Sequence, residues 1–313
     1  RNADLTTEGI DAYYEKSFTF DRSYALNWNL TRSLTFDYRA NAMAIIDEPE
    51  GDINTDIKRD SVKTNFWKMG RIKDFAQSIN INYRLPFDKL PVTDWLNSDI
   101  NYSVNYGWKG GAIGQSDSLG NDINNHREVA ITGKIDMVKL YNKVGLLKKV
   151  NSPSRTRTRP TARPTNDSTV VKKTIEDMKV AKGILRVLMS LRNITFNYDI
   201  SQGTYLPGYT QDVFLFGLDK DFTNPGLGFV MGSQDPNVRH NIAENGYMAT
   251  SQFITRPFTQ EKITSLSFAA VLEPFTDFRV SLTGRKTHSQ NYQEIFKTDP
   301  ASNGDTFISI NPN

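Results

Sequence analysis

Apolar and polar residues alternate almost without exception over residues 18–40. A period of two places successive side chains on opposite faces of a β-strand, so each strand here has one apolar and one polar face. The polar residues 31–33 interrupt the alternation and predict a tight turn between two strands. The apolar positions of the two strands are Tyr24, Leu26, Trp28 and Leu30, then Leu34, Phe36, Tyr38 and Ala40. This pattern predicts a β-hairpin that separates an apolar environment from water.

The same alternation recurs along the chain. A second hairpin is predicted over residues 75–108, and only Gln77 and Ser98, both near strand ends, interrupt its pattern. Weaker alternation over 128–137 predicts a fifth strand, and residues 193–200 predict a sixth. A last hairpin is predicted from Leu266, with a return strand that continues to about Tyr292. The sequence therefore predicts about eight antiparallel strands.

The connections between these strands alternate in length. Tight turns are predicted near Thr31, Phe87 and Phe275. Long connections rich in Gly, Asn and Asp are predicted at 47–74, 109–125 and 203–262. Outer-membrane β-barrels have this asymmetry, with short periplasmic turns and longer extracellular loops.

One insertion, residues 139–191, breaks the alternation and is expected on the short-turn side. Residues 152–160 are rich in Arg and Pro, which predicts a disordered linker, and residues 171–191 have the apolar spacing of a short helix. We therefore expect three regions. Barrel strands one to five with extracellular loops occupy 1–138, a periplasmic insertion occupies 139–191, and strands six to eight with a long extracellular loop occupy 192–313.

The composition favours a membrane β-barrel over a soluble domain. Hydrophobic residues make up only 38% of the chain while aromatic residues reach 11%, a combination expected of half-apolar strands with aromatic girdles. No run of about 18 apolar residues is present, so a membrane-spanning structure would have to be a closed barrel. Cysteine is absent, which excludes a disulfide framework. The predicted fold is all-β, a segment of a larger antiparallel transmembrane β-barrel in a bacterial outer membrane.

The chain begins at Arg1, without an initiator Met or a signal peptide, and we interpret it as an internal fragment of a longer protein.

The alternation assigns side chains to the two sides of the predicted wall. The apolar face is expected to contact lipid through Leu26, Trp28, Phe36, Ile79, Ile81, Tyr102, Val104, Phe196, Phe268 and Val280. The polar face is expected to line an aqueous lumen through Asn27, Asn29, Asp37, Arg39, Asn80, Asn82, Arg84, Asn101, Asn105, Asn197 and Arg279. Asparagine binds water without creating a strong field, which suits the passage of charged cargo.

No motif in the chain carries catalytic chemistry, so we expect no enzyme activity and no cofactor. Residues 226–232 resemble a dinucleotide-binding glycine motif, but the third Gly is one position late and no βαβ unit surrounds it. His126, His240 and His288 have no second His at metal-ligand spacing. No nucleophile elbow occurs, and no carboxylate pair stands out.

Two charged segments have simple interpretations. Residues 52–56 copy the first ligand positions of a calcium loop, but Ile57 and Lys63 stand where the turn Gly and the bidentate Glu are needed. Weak calcium binding by the acidic residues 47–56 stays open beside a solvated loop. The arginine run at 155–163 lacks interleaved aromatics, so we interpret it as a solvated linker and expect no nucleic-acid partner.

Motifs spread in order over nearly the whole chain resemble one known family. They lie at residues 18–22, 29–38, 47–51, 83–89, 140–143, 206–209, 225–229, 272–275 and 289–292. On these motifs the chain resembles the SprA/Sov family of gliding-motility cell-surface proteins. Residues 152–173 depart most from the family pattern.

The resemblance implies a translocon of the type IX secretion system of Bacteroidetes. This is a very large outer-membrane barrel that exports folded proteins to the cell surface and supports gliding motility. The partners it implies are membrane lipids, secreted cargo proteins, a smaller shuttle barrel, a plug protein and periplasmic motor proteins. Two alternatives stay open: an independent small outer-membrane barrel, such as an adhesin or porin, and a secreted β-rich binding domain.

Overall fold

The computed structural model describes residues 16–111, 119–145, 147–148, 189–251, 253–275, 277–298 and 307–310. Within them, nine strands form one antiparallel sheet in which every strand pairs with its neighbours in sequence, in the order β1 to β9. The strands are β1 (Thr19–Thr31), β2 (Leu34–Ile45), β3 (Arg71–Leu85), β4 (Leu96–Lys109), β5 (Asn121–Asp136), β6 (Leu191–Tyr209), β7 (Phe258–Phe275), β8 (Phe278–Thr298) and β9 (Phe307–Ile310). The predicted all-β class with antiparallel pairing is confirmed.

The two ends of the sheet differ as the alternation predicts. The turns β1–β2, β3–β4 and β7–β8 lie at one end of the sheet, called here the short-turn end. The last residue of β5 and the first residue of β6, which flank residues 137–190, lie at the same end. The long connections after β2, β4 and β6 all leave the opposite end, called here the long-loop end. Within the described residues β1 pairs only with β2, so the sheet is open.

Several boundaries differ from the sequence prediction. β5 begins at Asn121, earlier than predicted, because Asn121, Ile123 and Asn125 are buried at the long-loop end and extend the ladder. Met137 was expected in β5 but begins the helix α2 (Met137–Lys143), whose Lys139 N–H donates to the Asp136 carboxylate. β8 continues past Tyr292 to Thr298, where it pairs with the unpredicted β9.

The connection after β2 contains an unpredicted helix, α1 (Asp56–Trp67). Thr55 caps it by accepting a hydrogen bond from the Lys58 N–H, so the residues with calcium-loop spacing lead into a helix. The predicted linker at 152–160, and the predicted helix at 171–191 except for its last three residues, lie outside the described residues.

The strands are strongly staggered. One row of paired residues begins at Leu34, the first residue of β2, and ends at Lys286, which is eight residues after the first residue of β8. Eight residues correspond to ~27 Å along a strand, and six strand spacings to ~29 Å across the sheet. The tight turns define one edge of the sheet. The strands do not leave this edge at a right angle but are tilted by about 45° from the perpendicular to it.

The long connection after β6, residues 210–257, folds back over the sheet and is called here the docked loop. It contains the short helices α3 (Leu227–Val230) and α4 (Val238–Glu244). One buried cluster joins it to the long-loop end of the strands. Its members from the strands are Ala40, Ala42, Phe75, Tyr106, Trp108, Ile123, Leu206, Tyr209, Phe258 and Phe296, and those from the docked loop are Val213, Leu218, Phe229, Val230, Val238, Ile242, Ala243 and Met248.

Candidate functional site

The sheet has one polar face, and the strand register places all eleven predicted lumen residues on it. Asn29 lies in a row with Thr35, Asn82 and Asn101. The neighbouring rows hold Asn27, Asp37 and Asn80, then Arg39, Ser78 and Asn105. Arg84 pairs with Asp99, Asn197 lies between Thr132 and Ser267, and Arg279 lies at the short-turn end.

These polar side chains bind one another and solvent. The Asn101 amide donates to the Asn82 side-chain oxygen, and the Asn197 amide donates to Asp199 Oδ2 at 2.6 Å. Arg279 donates twice to Glu273 Oε1, at 2.9 and 2.7 Å. The pairs that join two strands, Asn82–Asn101 and Glu273–Arg279, are of a kind that stabilises a sheet by about 0.2–1 kcal/mol each.

One cluster on the polar face has the residue types of a catalytic triad. The Ser201 hydroxyl lies 3.2 Å from His126 Nε2, and His126 Nδ1 lies 3.9 Å from Glu261 Oε1. His126 and Glu261 are two strands apart and meet over Gly203, where a Cβ would come within 3.1 Å of Glu261 Oε1 and 3.3 Å of His126 Nδ1. β6 is paired on both sides there, so its N–H groups offer no oxyanion hole. The cluster therefore links three strands through side-chain contacts on the polar face.

The opposite face of the sheet is apolar near the short-turn end. The register places all ten predicted lipid-facing residues on it. Eight of them stay at least partly at the surface, because the docked loop does not bury them. Leu26, Trp28, Phe268 and Val280 are 41–57% exposed, and Phe36, Ile81, Tyr102 and Phe196 are half-buried.

Two of the ten predicted lipid-facing residues are buried within the chain. Val104 is 1% exposed and Ile79 is 5% exposed, so neither meets solvent or lipid. Val104 is covered by Gly232 of the docked loop, where an added Cβ would lie 3.0 Å from the valine side chain. The alternation assigns the correct face of the sheet, but it cannot show that another part of the chain packs against it.

The uncovered apolar band ends at similar levels on strands β5 to β7. On β5 the last uncovered apolar position is Val129, seven residues from the short-turn end; Arg127 follows on the same face, and Ile123 farther along belongs to the buried cluster under the docked loop. On β6 it is Ile200, nine residues from that end, followed by Gln202. On β7 it is Leu266, nine residues from that end, followed by Thr264. On β8 it is Leu282, four residues from that end, and the Phe268 ring lies against the next position, Gly284. On β5, β6 and β7 the apolar band is therefore about eight to ten residues tall, close to the 9–11 residues with which a tilted strand spans a bilayer.

The docked loop is held over the sheet by polar side chains that break the apolar alternation. Asn125 donates to the Phe229 carbonyl at 2.8 Å and accepts from the Gln234 amide at 2.8 Å. Thr204 donates to Gln234 Oε1 at 2.7 Å, and Gln260 donates to the Asp235 carbonyl at 3.1 Å. Buried polar groups of this kind are costly unless paired, so they fix one orientation of the loop.

A buried ion pair fastens the other side of the docked loop. Arg239 of α4 places its Nε 2.5 Å from Glu294 Oε2 of β8, and the Glu294 side chain is 1% exposed. The same carboxylate accepts a hydrogen bond from the Tyr292 hydroxyl at 2.9 Å. The guanidinium also lies 4.8 Å from the ring centroid of Phe258. Through these contacts Arg239 joins the docked loop to both β7 and β8.

A turn inside the docked loop is built around one carboxylate. Asp219 accepts hydrogen bonds from the N–H groups of Thr223 and Asn224, at 2.8 and 3.2 Å, and from the Asn224 amide at 3.0 Å. Burial disfavours the ionised carboxylate, yet these hydrogen bonds outweigh it and hold the pKa of Asp219 below its ordinary value.

The acidic segment that copies part of a calcium loop has another contact. Lys58 Nζ donates to the carbonyls of Glu50 and Asp52, at 2.8 and 3.2 Å. Among the residues that the structure describes, no group of three or more His, Cys, Asp or Glu side chains is placed to hold a metal ion.

Sequence reasoning missed the docked loop and the residues that bind it. A signal was present: Gln77, Asn125, Thr204 and Gln260 all stand at apolar positions of the alternation, near the long-loop end. Polar residues that share a level on several strands indicate a polar partner for that part of the face.

No protein-family model matches this chain, and no curated protein is significantly similar to it. No helix in the described part of the chain has the length and apolar character needed to cross a membrane.

Proposed function

We propose that this chain forms part of the wall of a protein-conducting β-barrel in a bacterial outer membrane. The resemblance of its motifs to the SprA/Sov family supports a more specific proposal, the translocon of the type IX secretion system. In this role the chain conducts folded proteins to the cell surface and performs no chemistry.

The observation that carries the proposal is the apolar band on one face of the sheet. Its height of about eight to ten residues at an inclination of about 45° suits an outer-membrane barrel, whose strands tilt by about 35–45° around an apolar band ~25 Å tall. The short-turn end and the long-loop end then correspond to the periplasmic and extracellular sides.

The opposite face suits the lumen of a wide pore. It is lined mainly by asparagine, with Asp37, Arg39, Arg84 and Arg279 distributed among the amides. Such a surface binds water and presents no single-sign field that would hold a charged cargo protein. The partners proposed with this function are membrane lipids, secreted cargo, a shuttle barrel, a plug protein and periplasmic motor proteins.

The open sheet favours a segment of a large wall over an independent small barrel. In the described residues β1 and the β8–β9 side do not pair with each other, although β1 to β8 are each 12 or more residues long. Unpaired strand edges are not tolerated in lipid, so further strands are required on both sides of this sheet in a membrane.

Photo-crosslinking in the living bacterium tests the proposal. A crosslinking amino acid at Asn80 or Asn101, on the polar face, is expected to capture secreted proteins in transit. The same group at Ile81 or Phe196, on the uncovered apolar face, is expected to capture no cargo because it meets lipid. Equal capture of cargo from both faces contradicts the assignment of lumen and lipid sides. Release of the chain from cells without detergent contradicts membrane insertion itself.

A further inference from the structure

The docked loop carries an exposed apolar surface of its own, called here the phenylalanine patch. It consists of Phe214, Phe216, Phe222 and Leu227, which are 41–63% exposed. The rings of Phe214 and Phe222 pack edge to face with centroids 6.3 Å apart. A folded loop has no reason to leave four large apolar side chains within fourteen residues exposed to water, so the patch indicates a contact surface.

The position of the patch relative to the sheet is fixed by Phe216. Its ring lies 5.8 Å from the ring of Tyr38, which is on the apolar face four residues from the start of β2. At an inclination of about 45°, four residues raise Tyr38 by only ~10 Å above the short-turn end. On β5 to β7 the first polar position lies nine to eleven residues from that end, or ~22–26 Å above it. Phe216 therefore lies below the level at which the apolar band ends elsewhere.

The docked loop also shortens the strand surface that is free to meet lipid. On β4 the loop covers Val104, and the Tyr102 hydroxyl donates to the Met231 carbonyl of the loop at 2.6 Å. Only the part of β4 between Leu96 and Tyr102 stays uncovered, which gives an apolar height of ~15 Å against the ~25 Å of a typical barrel. The loop must supply the missing apolar height on this side of the wall.

We infer that the phenylalanine patch contacts the outer leaflet of the membrane, at the boundary between acyl chains and headgroups. The exposed Lys220 and Asp221 separate Phe222 from the buried part of the loop, and charged side chains beside aromatic ones are typical of that boundary. The patch then takes the place of the aromatic girdle that a barrel has at its extracellular membrane boundary, on the side of β2 to β4. The inference rests on the proposed membrane function and adds to it a lipid-binding role for an extracellular loop.

Site-directed spin labelling tests the inference, because the chain contains no cysteine and accepts single labels. Nitroxide labels are placed at F216C and F222C in the full protein reconstituted in phosphatidylcholine bilayers. A label at L26C, on the apolar band, tests only whether the sheet lies in the membrane. F253C is a matched control, because Phe253 lies on the same loop and is 80% exposed but near Arg256, which binds Asp122 at the long-loop end. Collision rates with oxygen and with a water-soluble nickel chelate are then compared.

At F216C and F222C, oxygen collisions are expected to exceed nickel collisions, as at L26C, while F253C shows the reverse. A lipid-like ratio at L26C with a water-like ratio at F216C and F222C overturns the inference and leaves the proposed function standing. Protection of F216C from both reagents also overturns it, since the patch then contacts protein, such as a second copy or a partner. A water-like ratio at L26C overturns both.

Discussion

At the scale of single residues, two glycines on the apolar face make room for aromatic rings from the neighbouring strand. A Cβ at Gly133 would lie 2.2 Å from the Phe196 ring, and one at Gly284 would lie 2.4 Å from the Phe268 ring. Each ring covers a backbone that has no side chain of its own, an arrangement known to stabilise glycine-containing strands. Gly133 also explains why the alternation of β5 is weak in the sequence, since the missing side chain is supplied by β6.

Gly133→Ala is expected to destabilise the sheet by about 1–3 kcal/mol, because the new methyl group forces the Phe196 ring out of its position. Gly145→Ala is the matched control, since nothing lies within 4 Å of a Cβ there. The denaturant midpoint of the detergent-solubilised protein measures both. Equal midpoints for the two variants contradict the role assigned to the Phe196 ring.

Asp219 gives the docked loop a dependence on pH. Its folded pKa lies below that of an unfolded aspartate, so the carboxylate stabilises the loop above the unfolded pKa of about 3.9. This contribution is lost as the pH falls through the lower folded pKa.

Asp219→Asn is expected to weaken the loop by about 1–3 kcal/mol near neutral pH, because the amide retains only part of the hydrogen bonding to Thr223 and Asn224. Hydrogen exchange of residues 218–224, corrected for intrinsic rates, measures the difference between variant and parent. The difference should shrink as the pH falls below about 4. A difference in hydrogen exchange that does not change with pH contradicts a stabilising role of the Asp219 charge.

At the scale of elements, the sequence predicts the strands well because the alternation within each strand is enough to assign its apolar and polar faces. Leu26, Trp28 and Leu30 indicate their face without reference to any other segment. The docked loop could not be predicted in the same way, because its packing depends on contacts between residues far apart in sequence. Asn125 and Phe229, for example, are 104 positions apart. The helix α1 was missed for a different reason, since its exposed sequence has no apolar stripe.

The ion pair between Arg239 and Glu294 is expected to decide whether the docked loop stays closed over the sheet. Glu294→Gln leaves the Arg239 charge buried without a counter-charge, which costs about 3–5 kcal/mol. Asp56→Asn is the control, because the Asp56–Arg59 pair is exposed and is worth about 1 kcal/mol or less. Hydrogen exchange of α4 is the measurement, and equal protection in both variants argues against this role of the ion pair. A double-mutant cycle with Arg239→Met separates the pair energy from the cost of the unpaired arginine.

At the scale of the whole molecule, the proposed membrane wall accounts for both the stagger of the strands and the two faces of the sheet. The stagger alone is compatible with a twisted soluble sheet, and an apolar face alone is compatible with a sandwich. Only a bilayer requires that the apolar positions end at one height on differently staggered strands. Ile200 on β6 and Leu266 on β7 meet that requirement, because each lies nine residues from the short-turn end although the two belong to different rows of paired residues.

The membrane assignment is tested most directly by a pair of neighbouring residues in β3. Ile81 lies on the uncovered apolar face, four residues from the end of β3, and Asn82 lies on the polar face. Ile81→Arg is expected to reduce the stability of the membrane-inserted protein by about 2–4 kcal/mol, because the guanidinium is buried near the middle of the hydrocarbon layer. Asn82→Arg has the same charge and nearly the same position along the strand, yet it should be tolerated because it faces water. The amount of each variant assembled in the outer membrane, and its unfolding in lipid, measure the difference. Equal tolerance of the two arginines means that neither face meets lipid, and the secreted β-rich domain then becomes the better explanation.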